Sequence, residues 1–113
     1  MPRNMSFMLT TEQFKNRTKT VTRRLGWKFL KPGDVVMGCK KCMGLKKGEK
    51  IERLGLIRIV DVRRERLNQI TDEDVVREGF PGMTRLGFIK FFMKEARCLI
   101  VQPVTRIEFE YLD

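Results

Sequence analysis

Residues 19–24, Lys-Thr-Val-Thr-Arg-Arg, place hydroxyl groups among cations, and this combination of side chains is suited to binding an anion. They lie between Glu12 and Asp34, in a segment that contains seven Lys or Arg residues and no acidic residue. A surface that serves only solubility intersperses both signs of charge. The segment therefore predicts a site built for an anion.

The positive charge is concentrated in the first part of the chain, which has 113 residues and a formal net charge of +10. Residues 1–66 contain 18 Lys or Arg and 6 Asp or Glu, whereas residues 67–113 contain 6 and 8. This imbalance predicts one electropositive face, for which a polyphosphate such as RNA or DNA is the natural partner. A basic protein with a merely solvated surface is the alternative.

The absence of histidine from the chain limits its chemistry. Ser-His-Asp and Cys-His mechanisms are excluded, as is zinc bound through histidine. A closed zinc site needs four ligands, and the chain has only three cysteines, Cys39, Cys42 and Cys98, so a carboxylate or a second chain would have to complete such a site. We interpret Cys39 and Cys42 as plain thiols at a strand end, with a redox pair as the alternative. We expect neither a metal nor a cofactor.

The length of the chain predicts a single domain over residues 1–113. No apolar run approaches the about 20 residues that a membrane-spanning helix needs, and no apolar signal-peptide core follows Met1. An odd number of cysteines also argues against a secreted scaffold held by disulfides. We expect a soluble, cytoplasmic protein with no membrane partner.

Short elements separated by turn residues predict a small α+β domain. Lys31-Pro32-Gly33-Asp34 is typical of a turn. The stretch from Leu54 to Val62 is apolar on both faces apart from Arg58, which favours a central position in a curled sheet. The predicted strands are residues 5–9, 20–24, 35–39, 54–62 and 105–111, and a basic loop spans residues 40–53.

Two or three short helices are expected beside this sheet. The first covers residues 10–17, where Thr10 and Gln13 would form a capping box. The second lies in residues 71–79, because a threonine cap precedes three acids and a glycine follows as a stop. The third is capped by Thr84 and has apolar residues at three- to four-residue spacing. Together the elements favour a small, curled β-barrel.

Four separated motifs together resemble the ASCH domain of the PUA-like superfamily. They are KTVTRR at 19–24, LKPGD at 30–34, EGFPGM at 78–83 and VTRIEFEYL at 104–112. They occur in the order typical of that family, and the resemblance covers nearly the whole chain. It implies a PUA-like β-barrel of about five strands with two or three short flanking helices, and a cleft that binds RNA or a modified nucleoside.

One branch of this family that resembles the chain is an amidohydrolase that removes the acetyl group from N4-acetylcytidine. Its pattern is Lys-Thr-x-Thr-x-Arg with a later glutamate at a helix end. The resemblance implies that Lys19 is the base, Thr22 the nucleophile and Glu78 the proton donor, with Arg24 as a supporting cation. The chemistry agrees, since a threonine hydroxyl needs an adjacent base.

These roles constrain the geometry. Strict strand alternation would place Lys19 and Thr22 on opposite faces, so Lys19 should precede the strand or lie on a bend. Crowding by neighbouring arginines and burial should both lower the pKa of Lys19. Glu78 should lie at the negative end of its helix, which suits a group that donates a proton. A salt-bridged structural role is the alternative for Glu78.

The basic loop is longer than the corresponding stretch of the amidohydrolase. Its lysines indicate a polymeric nucleic acid rather than a free nucleoside. The candidate contacts to nucleic acid or substrate are Arg17, Thr20, Arg23, Arg24, Lys40, Lys41, Lys46 and Lys47.

Four functions are compatible with these residues. The first is hydrolysis of an amide or ester on RNA or a modified nucleoside, and the second is a reader whose cations bind phosphate without catalysis. The third is a metal-independent ribonuclease in which Lys19 or Tyr111 handles protons. The fourth is a protein adaptor that works through the third helix, whose Phe88, Phe91 and Phe92 we otherwise expect in the core.

Overall fold

The structure, a computed structural model, describes residues 2–112. Its strands are β1 (Arg3–Ser6), β2 (Val21–Arg24), β3 (Val35–Cys39), β4 (Arg53–Arg66) and β5 (Pro103–Tyr111). They form one mixed sheet in the order β1-β3-β4-β5-β2, in which only the β1–β3 pair is parallel. The sheet curls into a half-barrel, so the predicted α+β fold is confirmed.

Three short helices flank the sheet: α1 (Thr11–Lys15), α2 (Asp72–Arg77) and α3 (Arg85–Ala96). Thr71 and Thr84 cap α2 and α3 as predicted, since their hydroxyl oxygens accept main-chain hydrogen bonds from Asp74 and Gly87 at 3.1 and 2.9 Å. None of the helices in residues 2–112 is long and apolar enough to cross a membrane.

The long strand β4 lies at the centre of the sheet, between β3 and β5, as its two apolar faces predicted. It continues beyond Val62 because residues 63–66 pair with the first half of β5. The register shifts between Ile59 and Asp61 and again at the β3–β4 pair. Such bulges increase the local twist and bend a strand, which accounts for the curl of the sheet.

The N-terminal segment differs from its prediction. β1 ends at Ser6 rather than at residue 9, because Met8–Thr10 forms a 3-10 turn. The side chain of Thr10 makes no capping hydrogen bond, so the predicted capping box is wrong. Thr11 instead makes the side-chain hydrogen bond in this stretch, since its hydroxyl donates to the main-chain oxygen of Phe7 at 2.9 Å.

Of two predicted ends of secondary-structure elements, the structure confirms one and corrects the other. The predicted turn before β3 is confirmed, since Gly33 has φ +96° and Asp34 N donates to Lys31 O at 3.0 Å. The first helix, however, ends at Lys15 and not near Arg17. Arg17 has φ +60°, a left-handed conformation that stops a helix.

Two apolar cores lie on opposite faces of β5. Because side chains alternate along a strand, β5 directs Ile107 and Phe109 into one core and Val104 into the other. The first core fills the half-barrel, and the second lies beneath α2 and α3. The first core consists of Met5, Phe7, Phe14, Leu30, Val36, Ile57, Ile59, Ile107 and Phe109, and the second of Leu67, Ile70, Val75, Phe88, Ile89 and Val104.

Candidate ligand-binding cleft

A cleft of about 850 Å³ receives lining residues from both edge strands of the sheet, β1 and β2. The curl therefore brings the two ends of the strand order to one opening. Arg24 links the two edge strands, because its Nη2 in β2 donates a hydrogen bond to the main-chain oxygen of Ser6 in β1. The Arg24 guanidinium also lies 4.9 Å from the centre of the Phe7 ring. The volume is within the range of small-molecule sites.

Lys19, Thr22 and Glu78 all line this cleft and are all buried. Lys19 precedes β2, as the strand geometry required. Its Nζ donates to Glu78 Oε1 at 2.7 Å and to the main-chain oxygen of Glu78 at 2.9 Å. Within residues 2–112, Thr22 Oγ1 forms no hydrogen bond with Lys19. The fold thus brings together the three residues that the sequence motif singled out, with Lys19 held by Glu78.

The segment that carries Lys19 is fixed from both sides. The hydroxyl of Tyr111 donates to the main-chain oxygen of Lys19, outside the cleft lining. On the other side, Gly79 has φ +103°, and a Cβ there would lie 2.7 Å from Gln13 Cγ and 3.6 Å from Lys19 Cβ. A glycine is needed here both for the left-handed backbone and for the close approach to Gln13, whereas the distance to Lys19 is an ordinary contact.

The pKa of Lys19 is lowered from its ordinary value of 10.5. Burial is the main cause, since it disfavours the charged ammonium, and the charges of Arg24 and Arg23 add to it. The carboxylate of Glu78 opposes the shift. The sequence predicted that the pKa of Lys19 is lowered, but burial contributes more to this shift than the neighbouring arginines do. Arg17 instead lies with its guanidinium 5.4 Å from the centre of the Tyr111 ring.

Arg23 is buried and bound by three carboxylates. Its Nη1 lies 3.1 Å from Glu78 Oε2, and its Nη2 lies 2.8 Å from Glu65 Oε2 and 2.5 Å from Asp74 Oδ2. With these partners its guanidinium orients Glu78 from the side away from Lys19. The cations of the acid-free segment are thus partly neutralised by acids that come from distant parts of the chain.

Asp74 is the centre of this buried network, a role that its sequence position in the first turn of α2 did not reveal. Its Oδ2 accepts from Arg106 Nε at 2.6 Å and its Oδ1 from Arg106 Nη2 at 3.0 Å, in addition to the bond from Arg23. Burial by itself would raise the pKa of Asp74, but the hydrogen bonds from Arg106 and Arg23 hold this pKa well below its usual range.

The remaining candidate contacts are dispersed. Arg17 and Thr20 lie outside the cleft lining, and the main chain of Thr20 joins α2 to β5 through bonds to Arg77 and Phe109. Lys41 lines a smaller pocket of about 250 Å³ next to the cleft, which we call the side pocket. The basic loop ends at Glu52, before β4, and its other candidate residues, exposed and outside both cavities, are Lys40, Lys46 and Lys47.

Aromatic side chains form much of the cleft wall, which the sequence did not predict. Trp27 and Phe29 supply one pair, with ring centres 5.3 Å apart. Phe88 is buried in the second core as expected, whereas Phe91 and Phe92 are only partly buried. The wall that comes from α3 and the segment before it consists of Phe80, Phe88, Phe91 and Phe92.

All three cysteines are free thiols. Burial is the main cause that raises the pKa of Cys39 to about 11, and contact with Cys42 adds to it. Such a thiol is protonated at neutral pH and therefore unreactive. In the part of the chain that the structure describes, no cluster of three or more Cys, Asp or Glu side chains is placed to hold a metal ion.

Several solved structures share this fold at low sequence identity. Protein EF3133 from Enterococcus faecalis V583, of family DUF984, has a TM-score of 0.71 and 16% identity over 100% of this chain and 81% of its own. An ASCH domain from Lactobacillus crispatus JV V101 has a TM-score of 0.68 and 13% identity over 96% and 78%. Hypothetical protein PH0355 has a TM-score of 0.67 and 18% identity over 99% and 100%.

No family model and no curated protein matches the sequence. The structural likeness shows that the chain shares the fold of these structures, an ASCH domain among them, which agrees with the resemblance carried by the four sequence motifs.

Proposed function

We propose that the cleft binds a nucleobase, either within RNA or as a modified nucleoside, with N4-acetylcytosine as the base to test first. The observation that carries this proposal is that Lys19, Thr22 and Glu78 stand in a cleft with aromatic walls. Aromatic rings stack on the face of any base and contribute roughly 1–3 kcal/mol per base. The polar groups add the selectivity that stacking lacks, because they can bind the edge of the base.

The polar residues offer both kinds of hydrogen-bonding group. Lys19 donates, Glu78 accepts and the hydroxyl of Thr22 does both. A cytosine derivative also presents donors and acceptors along one edge, so its hydrogen bonds can be satisfied inside the cleft. The ASCH fold supports a nucleic-acid ligand only by analogy, since one fold hosts many functions.

Hydrolysis of the N4-acetyl group is the second candidate, favoured by the buried pair of Lys19 and Glu78 at 2.7 Å. Transfer of one proton along this hydrogen bond converts an ammonium and a carboxylate into an amine and a carboxylic acid. Burial favours such a neutral pair, which provides a base and an acid in the cleft that Thr22 also lines. Arg23, on the other oxygen of Glu78, opposes the transfer.

In the hydrolytic reaction, Thr22 Oγ1 attacks the acetyl carbon while Lys19 accepts the hydroxyl proton. Glu78 protonates N4 as the C–N bond breaks, so that cytidine leaves and an acetyl ester remains on Thr22. Water then attacks the ester and gives a proton to Glu78, and Lys19 returns its proton to Thr22 Oγ1. The product leaves as acetic acid, which carries the second proton of the water and ionises to acetate in solvent, and all three side chains regain their starting protonation.

The test measures binding and turnover with the same probes. Calorimetry with N4-acetylcytidine and with cytidine should show selective binding of the acetylated form, and acetate release should be lost in Thr22→Ala. Thr22→Ser should retain release, because it keeps a hydroxyl. Thr18→Ala is the matched control, since Thr18 is exposed and lies outside the cleft lining.

The outcomes separate the candidate functions. Selective binding without acetate release would leave a reader and reject the hydrolase. Cleavage of unmodified RNA by the wild-type protein in the absence of divalent metal would favour the ribonuclease. No binding of either nucleoside, free or within a short RNA, would reject the proposal for the cleft.

A further inference from the structure

We propose that the side pocket is a subsite for the nucleotide next to the bound base, so that the protein takes its base from an RNA chain rather than as a free nucleoside. This inference rests on the proposed binding of a base in the cleft. The two cavities are continuous in their lining: the residues that line both are Asn4, Ser6, Met8, Arg24 and Trp27.

The distribution of paired and unpaired cations favours a phosphate in the side pocket. Lys19 and Arg23, in the cleft, each lie within 4 Å of a carboxylate, whereas Arg3, which also lines the cleft, lies with its guanidinium 4.6 Å from the centre of the Phe29 ring. Arg24 and Lys41, which line the side pocket, form no ion pair with any acid in residues 2–112. The side pocket also has no acidic lining residue among those described. An anion is therefore attracted to the side pocket more strongly than to the neutralised polar group of the cleft.

Arg24 carries an unused hydrogen-bond donor at the junction of the two cavities. Its Nη2 is bound to the main-chain oxygen of Ser6, but its Nε is buried and has no hydrogen-bond partner in residues 2–112. Buried polar atoms normally have a partner, so an unpartnered one requires an explanation. Nε itself has no accessible surface, so an oxygen of a phosphodiester that passes from the cleft into the side pocket would bind the same guanidinium at Nη1, which forms no hydrogen bond in residues 2–112 and is not buried.

Two further residues suit the same ligand. Trp27 is partly buried, lines both cavities and offers a ring on which the neighbouring base can stack. Lys41 belongs to the basic loop, so the chain of nucleotides would continue from the side pocket toward further lysines. The basic loop and the side pocket thus serve the same ligand, because both would contact the part of an RNA chain next to the nucleotide whose base is bound in the cleft.

The experiment compares probes of increasing length in the Thr22→Ala background, so that no probe is consumed. The probes are N4-acetylcytidine, its 5′- and 3′-monophosphates, and dinucleoside monophosphates in which it is joined to uridine in either order. Binding is measured by calorimetry over a series of salt concentrations. The added variants are Lys41→Ala and, as a matched loss of one positive charge, Lys90→Ala, which lies on an exposed part of α3 outside both cavities.

We expect one dinucleotide to bind several-fold more tightly than the nucleoside. Lys41→Ala should remove most of that gain and leave nucleoside binding unchanged. It should also reduce the slope of log affinity against log salt by about 0.7, which corresponds to one phosphate contact on a single strand. Lys90→Ala should leave the affinities for the nucleoside and for the dinucleotide unchanged.

Equal affinity for the nucleoside and both dinucleotides, or equal weakening of both by Lys41→Ala, would overturn the subsite while leaving base binding intact. A monophosphate that binds as tightly as the better dinucleotide would show that only a phosphate, and no neighbouring nucleoside, occupies the pocket. If none of the probes binds either to Thr22→Ala or to the wild-type protein, the proposed function fails together with this inference.

Discussion

Lys19 Nζ lies 2.7 Å from Glu78 Oε1, although 59 positions separate the two residues in the chain. Both side chains are buried, and the contact joins the segment before β2 to the end of α2. A buried ion pair that is broken on one side leaves an uncompensated charge, which is strongly destabilising. The pair therefore ties the stability of the fold to the groups that we propose for function.

Removing the carboxylate of Glu78 should lower the pKa of Lys19 further. Glu78 raises this pKa in the wild-type protein, whereas burial and the neighbouring arginines lower it, so Glu78→Gln removes the charge that raises the pKa and keeps the causes that lower it. The measurement is an NMR titration of the Lys19 side-chain signal in both proteins. Glu95→Gln is the control, since Glu95 lines the same cleft but does not contact Lys19. A pKa that rises in Glu78→Gln would contradict the assignment.

Asp74→Asn should destabilise the protein by about 3–5 kcal/mol. Arg23 and Arg106 are paired across β2 and β5, and Asp74 accepts hydrogen bonds from both, so its loss leaves two buried cations beside each other. Urea unfolding measures the change. Asp72→Asn, an exposed change in the same helix turn, should cost no more than about 1 kcal/mol. Equal effects of the two variants would mean that the network does not stabilise the fold.

The same residue should make the wild-type protein sensitive to acid. The pKa of Asp74 is lower in the folded protein than its ordinary value of 3.8, so its stabilising contribution is present above that value. The contribution is lost as the pH falls through the folded-state pKa, because the unfolded chain binds the proton first. Unfolding free energies measured from pH 6 to pH 2 should fall less steeply for Asp74→Asn than for Asp72→Asn. A stabilising osmolyte keeps both variants folded, and parallel curves would contradict the prediction.

Gly79→Ala should destabilise the fold by about 1–3 kcal/mol, because the backbone is left-handed and the new Cβ would meet Gln13. It should also weaken ligand binding, because the strained residue directly follows Glu78, which lines the cleft. Gly82→Ala provides the comparison: a Cβ added there would have no neighbour within 4 Å, and its φ is not left-handed. That variant should be neutral or slightly stabilising, and a similar loss in both would refute the argument.

Phe29→Ala should weaken binding of a nucleobase by about 1–3 kcal/mol with little effect on stability. Phe29 is 52% exposed, so the fold gains little from its ring, whereas the ring lines the cleft. Phe88→Ala should instead cost about 3–5 kcal/mol of stability, because Phe88 is buried in the second core. Thermal unfolding and calorimetry separate the two effects. Unchanged affinity in Phe29→Ala would exclude stacking of the base on the Phe29 ring.

Local signals in the sequence predicted those features of the fold that depend on one residue and its nearest neighbours in the chain, such as helix caps and turns. Thr71 and Thr84 cap their helices, and Gly33 and Gly79 adopt the positive φ that only glycine tolerates well. Thr10 shows the limit of such signals. Its capping pattern is present, but the 3-10 turn that precedes α1 places the hydroxyl where it caps nothing.

The site could be predicted only where a motif names its residues. Lys19 and Glu78 were found through such a motif, and their contact is long-range. Asp74 lies 51 positions from Arg23 and 32 from Arg106, so no spacing along the chain reveals the network. Trp27 lies in an irregular segment, whose position relative to the cleft depends on the curl of the whole sheet.

The opening between the edge strands β1 and β2, which do not pair with each other, has a consequence for solubility. Each of these strands has four residues and, in the described chain, pairs with one neighbour only, so each leaves a free edge. Free edges invite pairing with other chains, and short edge strands limit that risk. Arg24 adds protection by occupying the main-chain oxygen of Ser6. The opening through which we propose that a ligand enters is thus also the place where self-association must be prevented, and a bound ligand would cover it.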